Sequence, residues 1–332
     1  MIITRTPFRI SFFGGGTDYP TWFKEHGGQV LATTINKYCY ISCRYLPPFF
    51  EHKHRIVYSR IENVKKIEEI EHPAIRGVLS WMNWEKGLEI HHDGDLPARS
   101  GLGSSSSFTV GLINTLLALR GERISKKELG QKAIYLEQDV INEHVGSQDQ
   151  ISAAYGGFNR IEFHRNGDFT VEPVIIDTDR LEELQSHMML FFTGISRYAT
   201  EIAKSKIDNF KDRVKELKAI EQMVTQGQSI LLSHSTPISE FGSLLHEAWM
   251  YKRSLSDKVS NAFVDEVYET ARKNGAIGGK ILGAGGGGFF LLFIAPENQE
   301  KVREALKDLI HVPIRFESGG SQVVLYQPDG LA

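Results

Sequence analysis

The chain has 332 residues, of which 41% are hydrophobic and 24% are charged. This composition is typical of a globular protein and excludes a mainly disordered chain, and the length favours two domains. The net charge of −3 excludes a generally basic nucleic-acid binder. No apolar run approaches the roughly 18 residues of a membrane-spanning helix, so we expect neither a nucleic-acid nor a membrane partner.

The first half of the chain combines strand patterns with helices. Alternating polar and apolar residues predict a strand or hairpin over residues 1–13, with an interruption at Thr6-Pro7. Further strands are predicted at 29–34, 38–44, 88–92, 157–164 and 170–176. A proline near its start predicts a helix at 72–84, and a long apolar run predicts one at 104–119. A capping box predicts a third helix from Ser125 to about Asn142.

Two cysteines, Cys39 and Cys43, lie four residues apart within one of these strand patterns. Residues at that spacing in a strand are roughly 13 Å apart, too far for a disulfide. No further cysteine or histidine completes the spacing of a zinc site. We therefore predict reduced core thiols and a cytoplasmic protein.

The second half is richer in helical patterns. These predict helices at 198–230, 237–254, 257–273 and 297–310. Strands are predicted at 188–193, 289–295, 312–317 and 322–327. Because helices and antiparallel strands do not alternate regularly, the fold class is α+β, and a change of character near residue 185 divides the chain into domains 1–185 and 186–332.

Residues 97–107, here called the serine loop, contain two glycines and five serines, four of them consecutive, and lead into the long apolar helix. A helix N-terminus exposes unpaired N–H groups and about half a positive charge, which favour phosphate. The glycines can wrap the anion, and a serine hydroxyl could ligate Mg²⁺. One serine would suffice for the alternative, a simple helix cap, so the loop predicts phosphate binding. It matches neither a Walker A loop nor a nucleophile elbow.

Gly283–Gly288, here called the glycine loop, formally matches G-x-G-x-x-G. A dinucleotide site requires a helix after this pattern, whereas a strand is predicted here, so we reject a Rossmann site. We expect the glycine loop to pack on the phosphates or on the serine loop, with a flexible hinge as the alternative.

Two carboxylates, Glu137 and Asp149, lie twelve residues apart, in a predicted helix and in a polar loop. A kinase needs a carboxylate for its metal and often another at the acceptor hydroxyl, but most helical glutamates are simply solvated. Arg9 and Asp18 lie close to a triple glycine, Gly14-Gly15-Gly16, which suggests a loop near a ligand. A surface charge is the default interpretation of Arg9.

The order of these loops resembles the GHMP small-molecule kinase superfamily over about residues 3–327. The serine loop carries the Pro-x-x-x-Gly-Leu-Gly-Ser-Ser-Ser motif at 97–106. Within the superfamily, the chain looks most like the D-glycero-D-manno-heptose 7-phosphate kinases, to which four segments are similar: 5–18, 26–28, 191–197 and 252–256. Galactokinases have Gly-Glu-His-Thr-Asp where this chain has Gly-Gly-Gly-Thr-Asp at 14–18, which puts a free hexose substrate in doubt.

The resemblance implies a two-domain fold, with an N-terminal domain like domain 2 of ribosomal protein S5 and a C-terminal ferredoxin-like α/β sandwich. It implies ATP and Mg²⁺, and transfer of the γ-phosphate to the anomeric C1 hydroxyl of heptose 7-phosphate in nucleotide-activated heptose synthesis. The alternatives are a kinase for an unphosphorylated sugar, like galactokinase or fucokinase, and a non-catalytic regulator that binds sugar and ATP. The oligomeric state stays open, with a homodimer as one option.

The resemblance also implies residue roles. Asp149 matches the catalytic base and Arg9 the arginine paired with it, while Ser105 and Glu137 match Mg²⁺ ligands. ATP would be bound by Gly101, Leu102, Gly103, Ser104, Ser105, Ser106 and Ser107. The substrate would be bound by three glycines and an aspartate, by four basic residues suited to its phosphate and by two later glycines: Gly14, Gly15, Gly16, Asp18, Arg197, Lys252, Arg253, Lys280, Gly285 and Gly286.

Overall fold

The structure is a computed structural model that describes residues 1–98, 100–195 and 199–328, with the backbone alone at 199–202 and 206. Its helices are Pro20–His26 (α1), Pro73–Trp81 (α2), Ser104–Leu119 (α3), Lys126–Tyr135 (α4), Gln148–Tyr155 (α5), Thr178–Ser186 (α6), Ala199–Asn209 (α7), Val214–Leu232 (α8), Ser239–Ser254 (α9), Ala262–Lys273 (α10) and Gln299–Ala305 (α11). Its strands are Ile2–Phe13 (β1), Gly28–Tyr45 (β2), His54–Val57 (β3), Ile61–Val64 (β4), Leu88–Gly94 (β5), Phe158–Phe163 (β6), Phe169–Pro173 (β7), Met188–Phe192 (β8), Ala276–Ile281 (β9), Phe289–Ile294 (β10), Ile310–Val312 (β11), Phe316–Glu317 (β12) and Gln322–Tyr326 (β13).

Within these described residues the strands form two sheets, of nine and four strands. The larger sheet has the order β13-β1-β2-β5-β3-β4, with β12 and β6 also on β2, and β7 on β6. The smaller sheet has the order β11-β8-β10-β9. The pairs are antiparallel apart from β3 with β5, so the predicted α+β class is confirmed.

The long pair of β1 and β2 forms the centre of the larger sheet. The interruption predicted at Thr6-Pro7 is a shift of register: Pro7 pairs with Tyr38, and Phe8 pairs with Ile35. Such a bulge accommodates a proline, which lacks the N–H that a regular ladder needs. The two strands predicted at 29–34 and 38–44 therefore join into one strand, β2, in which Cys39 and Cys43 are buried free thiols.

Helix α3 packs on β1 and β2, and it begins and ends where the sequence predicts. Most of its side chains are buried, as the apolar run indicates. Gly111 lets the helix approach the sheet closely, because a Cβ there would lie 2.8 Å from the Thr6 hydroxyl. Thr4 and Thr115 add a hydroxyl contact of 2.6 Å. This packing fixes the start of α3 beside the middle of β1.

Helix α5 differs from the prediction, which made residues 146–150 a polar loop. The helix begins at Gln148, so Asp149 lies in its first turn. The polar residues are not exposed to solvent here: Gln148 is buried, and the backbone N–H of Ser147 donates to the Asp18 carbonyl. The loop prediction was wrong because buried polar residues at a helix start resemble a solvated turn in sequence.

Helices α8 and α9 connect the two sheets. Helix α8 packs on β1 and β2, α9 packs on α8, and β9 lies against α9. Phe241 of α9 contacts Phe12 and Phe13 of β1 on one side and Phe293 of β10 on the other. One of the apolar clusters of the described chain therefore extends from the larger sheet to the smaller one.

The last two strands return to the larger sheet, where β13 pairs with β1 and β12 pairs with β2. The division of the chain at residue 185 remains a prediction. Strands β12 and β13 belong in sequence to the predicted second domain, but they pair with strands of the predicted first domain. None of the described helices combines the length and the apolarity needed to cross a membrane.

Candidate active site

Arg9 of β1 and Asp149 of α5 form a bidentate ion pair. Arg9 Nε lies 2.7 Å from Asp149 Oδ1, and Nη2 lies 2.8 Å from Oδ2. The remaining nitrogen, Nη1, donates to the Gly101 carbonyl at 2.7 Å. Such bidentate pairs are strong and fix geometry. The structure thus brings together two predicted site residues that are 140 positions apart in sequence.

The start of α3 lies directly against this pair. Gly103 is in the left-handed region at φ 75°, and a Cβ on it would lie 3.4 Å from Asp149 Oδ2. The backbone N–H of Arg9 donates to the Leu102 carbonyl at 3.0 Å, which holds the serine loop on β1. The partial positive charge of the helix start therefore lies beside the Asp149 carboxylate.

A cavity of about 240 Å³ opens beside Arg9 and Asp149. The serine loop and the start of α5 line it, together with residues from the second half of the chain. Its polar and glycine lining is Arg9, Ser11, Gly15, Gly16, Asp18, Tyr19, Gly101, Gly103, Ser104, Ser105, Ser106, Glu143, His144, Gly146, Gln148, Asp149, Lys252, Lys280 and Gly283. The cavity therefore joins the predicted phosphate site to five of the ten predicted substrate residues.

Glu137 lies in a π-helical turn, Leu136–Val140, and is 1% exposed. Its Oε2 accepts hydrogen bonds from the Ser106 hydroxyl, at 2.8 Å, and from the Gln150 amide. Burial raises the pKa of Glu137 to about 7. The serine that contacts Glu137 is thus Ser106, whereas Ser105, the serine expected to ligate the metal, is exposed and lines the cavity.

Glu137 is the carboxylate to consider for Mg²⁺. Its Oε1 has no well-formed hydrogen bond in the described part of the chain, since the nearby Thr109 hydroxyl donates to the Ser105 carbonyl, and buried polar atoms are rarely left so. Those same residues hold no group of three or more acidic, histidine or cysteine side chains suited to a metal. Mg²⁺ that arrives with a nucleotide takes most of its ligands from phosphate and water and only one or two from carboxylates. The orphaned oxygen and the serine hydroxyls fit that mode of binding.

The three glycines at 14–16 have two different structural roles. Gly15 and Gly16 line the cavity, whereas a Cβ on Gly14 would lie 2.0 Å from the Gln29 carbonyl oxygen, so Gly14 permits close packing on β2. Asp18 is 1% exposed, and its Oδ1 accepts from the Gly16 N–H at 2.9 Å. Its Oδ2 accepts from the Gln148 amide at 3.0 Å. Asp18 therefore ties the glycine turn to the start of α5.

The predicted phosphate-binding cations are placed differently from one another. Lys252 and Lys280 are buried in the cavity wall, where Lys252 donates to the carbonyls of residues 281 and 283 and Lys280 donates to that of Phe12. Arg253 is not among the lining residues and pairs with Asp265 at 3.0 Å. Arg197 lies outside the described residues.

The glycine loop connects β9 to β10, so a strand follows it, as predicted. It packs on the serine loop, which is one of the two predicted placements: a Cβ on Gly283 would lie 2.5 Å from Gly101 Cα. Gly285 and Gly286 contact Val259 instead, and the Gly286 N–H donates to the Val259 carbonyl at 2.8 Å. Neither of these two glycines is among the described lining residues.

Five polar lining residues were not predicted from the sequence: Ser11, Tyr19, Glu143, His144 and Gln148. Ser11 lies two residues from Arg9, Tyr19 follows Asp18, and Gln148 precedes Asp149. Closeness in sequence to predicted site residues could therefore have identified these three. Burial, together with the nearby Asp18 carboxylate, raises the pKa of Tyr19 far above its ordinary range. Tyr19 is therefore neutral in this site.

Comparisons with known proteins agree with the geometry. Residues 64–157 match the GHMP kinases N terminal domain, and residues 231–311 match the GHMP kinases C terminal family. D-glycero-alpha-D-manno-heptose 7-phosphate kinase of Campylobacter jejuni is 30% identical over 92% of this chain and 93% of its own length. The bifunctional fucokinase/GDP-fucose pyrophosphorylase of Arabidopsis thaliana is 25% identical over 90% of this chain, which spans 30% of that longer protein.

Solved structures share the fold. A D-glycero-D-manno-heptose 1-phosphate kinase from Bacteroides thetaiotaomicron superposes with a TM-score of 0.79 at 24% identity, covering 97% of this chain and 98% of that one. Galactokinase of Lactococcus lactis gives a TM-score of 0.73 at 20% identity, covering 97% and 94%. The chain belongs to the GHMP kinase family, with its two-domain fold, and is a phosphotransferase that uses an alcohol group as acceptor.

Proposed function

We propose that this enzyme transfers the γ-phosphate of ATP to the anomeric C1 hydroxyl of D-glycero-D-manno-heptose 7-phosphate, giving the 1,7-bisphosphate. The ion pair of Arg9 and Asp149 at the start of α3 is the observation that carries the phosphoryl transfer. The heptose phosphate acceptor is supported by the relative that is 30% identical over nearly the whole chain. The product would enter the synthesis of nucleotide-activated heptose.

Asp149 acts as the general base in this proposal. Its side chain is 25% exposed at the cavity, whereas that of Arg9 is 5% exposed, so the carboxylate is the partner that an acceptor can reach. It would take the proton of the acceptor hydroxyl as that oxygen attacks the γ-phosphorus. Arg9 holds both carboxylate oxygens and is itself anchored to the Gly101 carbonyl. This fixed geometry orients the base before the substrate binds.

The serine loop would hold the triphosphate. The unpaired backbone N–H groups of a helix start can bind an anion, and the helix dipole favours negative charge there. Ser104 and Ser105 line the cavity and offer hydroxyl donors. Bound Mg²⁺ would neutralise charge on the β- and γ-phosphates, with Glu137 and a hydroxyl of Ser105 or Ser106 as its protein ligands.

The cations near the cavity favour a second candidate, a kinase for an unphosphorylated sugar. The 7-phosphate needs a cationic pocket, but Lys252 and Lys280 already donate to main-chain carbonyls. Arg253 is paired with Asp265. A free sugar would need no such cations, and the fucokinase relative indicates that this chemistry occurs on a related chain.

An acceptor panel with ATP tests the proposal, read by phosphorus NMR of the product and by coupled release of ADP. We expect heptose 7-phosphate to give the 1,7-bisphosphate and free heptose to react far more slowly. Equal turnover of free heptose would establish the second candidate. Phosphorylation of heptose 1-phosphate at C7 would reverse the proposed position, and binding of sugar and ATP without release of ADP would indicate a regulator.

We place the enzyme in the cytoplasm. Cys39 and Cys43 are buried, and burial raises the pKa of both thiols well above the ordinary range. A buried neutral thiol is unreactive and persists in a reducing compartment. The cytoplasm is such a compartment and also supplies ATP.

A further inference from the structure

Two buried polar atoms in the cavity wall have no hydrogen-bond partner in the described chain. They are the hydroxyl oxygen of Ser11 and the side-chain carbonyl oxygen Oε1 of Gln148. Ser11 is 6% exposed and Gln148 is 8% exposed, and both line the cavity. Buried polar groups are almost always hydrogen-bonded. Two exceptions in one wall indicate groups that a polar ligand satisfies.

The orientation of the Gln148 amide follows from its neighbour. Its Nε2 donates to Asp18 Oδ2 at 3.0 Å. A carboxylate can only accept hydrogen bonds, so the nitrogen of the amide must face Asp18. The carbonyl oxygen is then the atom left for another partner. Asp18 is itself held by the N–H of Gly16, so the loop fixes the amide through Asp18.

Gly15 leaves the space between these two side chains open. A Cβ on Gly15 would lie 3.7 Å from the Ser11 hydroxyl and 3.8 Å from Gln148 Nε2. The gap therefore has about the width of one methyl group. It also adjoins the reacting centre, because Gln148 precedes Asp149 in the chain and both residues line the cavity.

We propose that Gln148 Oε1 and Ser11 Oγ bind hydroxyl groups of the acceptor sugar close to the hydroxyl that is phosphorylated, and so determine specificity. The proposal rests on the proposed function, which places a sugar in this cavity. Gln148 accepts from a sugar hydroxyl, and Ser11 can accept or donate. Asp18 acts through Gln148 as a positioning residue, rather than as the direct sugar ligand expected from the resemblance.

The first test compares wild type with Gln148→Met, which keeps the length of the side chain and removes the carbonyl oxygen. Both are assayed with the acceptor and with its 2-deoxy, 3-deoxy and 4-deoxy forms. In wild type, kcat/KM for one deoxy form should be roughly 10- to 100-fold lower than for the full acceptor, because the missing hydroxyl leaves Gln148 Oε1 unpaired. In Gln148→Met, that same deletion should change kcat/KM by no more than about twofold.

Equal deoxy penalties in wild type and variant, at every position, would overturn the role of Gln148. Gln226→Met is the matched control, since Gln226 is exposed on α8, and it should keep the wild-type penalties. Ser11→Ala is assayed in the same way, and Ser243→Ala, at an exposed site on α9, is its control.

The second test fills the gap with Gly15→Ala. The new methyl meets its neighbours only at ordinary van der Waals distances, and Gly15 has no left-handed backbone conformation. We therefore expect an unchanged melting temperature and an unchanged KM for ATP, but an acceptor KM raised roughly 10-fold. An unchanged acceptor KM would contradict binding between Ser11 and Gln148.

The acceptor used is whichever sugar the wild-type enzyme phosphorylates, so the two proposals can fail separately. If that sugar is not heptose 7-phosphate, the proposed function fails and the deoxy series still tests Gln148 and Ser11. If wild type phosphorylates only a non-sugar alcohol such as mevalonate, both proposals fail.

Discussion

The serine loop and the glycine loop are both glycine-rich and lie in contact, yet they face different partners. Gly103 of the serine loop lies against the charged side chains of Arg9 and Asp149 at the cavity. Gly285 of the glycine loop lies against backbone, since a Cβ there would be 2.7 Å from the Val259 carbonyl oxygen. A Cβ on Gly288 would likewise lie 2.3 Å from the Ser100 carbonyl oxygen.

The difference shows that glycine excludes a side chain for two separate reasons. At Gly103 it leaves the Asp149 carboxylate uncovered at the cavity, and in most of the glycine loop it lets two backbones approach. Gly101 and Gly283 stand where the loops touch: a Cβ on Gly283 would collide with the Gly101 backbone, and a Cβ on Gly101 would collide with the Leu282 carbonyl just before the glycine loop. Substitutions in the two loops should therefore have different consequences for catalysis and for stability.

The largest expected effect is at the carboxylate that the serine loop faces. Asp149→Asn should lower kcat by roughly 100-fold or more, because the amide cannot take the acceptor proton. It also leaves Arg9 buried beside a neutral partner. Steady-state kinetics at saturating ATP and acceptor measure the change. The control Asp308→Asn, at an exposed position, should leave kcat unchanged. A kcat near that of wild type in Asp149→Asn would contradict the role of Asp149 as the base.

The next effect separates the loops directly. Gly285→Ala should lower the free energy of unfolding by about 2 kcal/mol or more, because it adds a backbone collision to the strain of a positive φ. Gly103→Ala should lower kcat at least roughly 10-fold, since its methyl would lie 3.4 Å from the Asp149 carboxylate. Denaturant unfolding and kinetics measure both properties for both variants.

Gly121→Ala is the matched control for backbone strain. Gly121 has the same φ of 75° as Gly103, and no atom of the described chain lies within 4 Å of its Cβ position. It should lose about 1 kcal/mol with unchanged kinetics. If Gly285→Ala lost no more stability than Gly121→Ala, or if Gly103→Ala kept full activity, the contrast between the loops would not hold.

Glu137→Gln tests the proposed Mg²⁺ ligand at the base of the serine loop. The amide keeps the shape of the side chain but loses its charge, so the Mg²⁺ concentration for half-maximal activity should rise roughly 10-fold. Titration of Mg²⁺ at fixed ATP measures it, with the exposed Glu266→Gln as the control. An unchanged titration would count against Glu137 as a ligand.

The same residue predicts a pH dependence of stability. Burial raises the pKa of Glu137 from 4.5 to about 7 in the folded chain, so the folded state binds the proton more tightly than the unfolded state. This contribution to stability is fully present below pH 4.5 and is lost as the pH rises through 7. Melting temperatures without nucleotide should therefore fall more steeply over this interval for wild type than for Glu137→Gln. Parallel curves would show that the carboxyl is not desolvated.

Local patterns predicted the elements that follow local rules. Helix α3 was predicted in full because its apolar run is long, and the capping box at Ser125 is present, with its hydroxyl accepting from the Glu128 N–H. Strand β9 was missed because Gly278 and Gly279 suggest a turn. They occur within a strand because α9 packs there, and a Cβ on Gly278 would lie 2.0 Å from the Gly242 carbonyl oxygen. That reason is tertiary and leaves no local pattern.

In the candidate site, too, contacts that depend on the tertiary fold could not be predicted from local sequence patterns. The pairing of Arg9 with Asp149 followed from the family resemblance, since nothing in the spacing of residues 140 positions apart predicts a contact. The serine that contacts Glu137 could not be identified either, because four consecutive serines differ only in the direction that each takes from the helix start. The carbonyl partners of Lys252 belong to β9 and the glycine loop, so they depend on the assembled fold.

The smallest expected effect is at Arg253, next to Lys252 on α9. Consecutive helical residues point about 100° apart, so Lys252 lines the cavity while Arg253 pairs with Asp265 and lies over the Trp249 ring. Arg253→Ala should change the acceptor KM less than about twofold, because a partly exposed ion pair contributes little. Lys252→Met should raise it more, since two carbonyls at the joined loops lose their donor. A large rise in acceptor KM for Arg253→Ala would mean that Arg253 turns toward the bound sugar phosphate, and the cation assigned to the 7-phosphate would then come from outside the cavity wall.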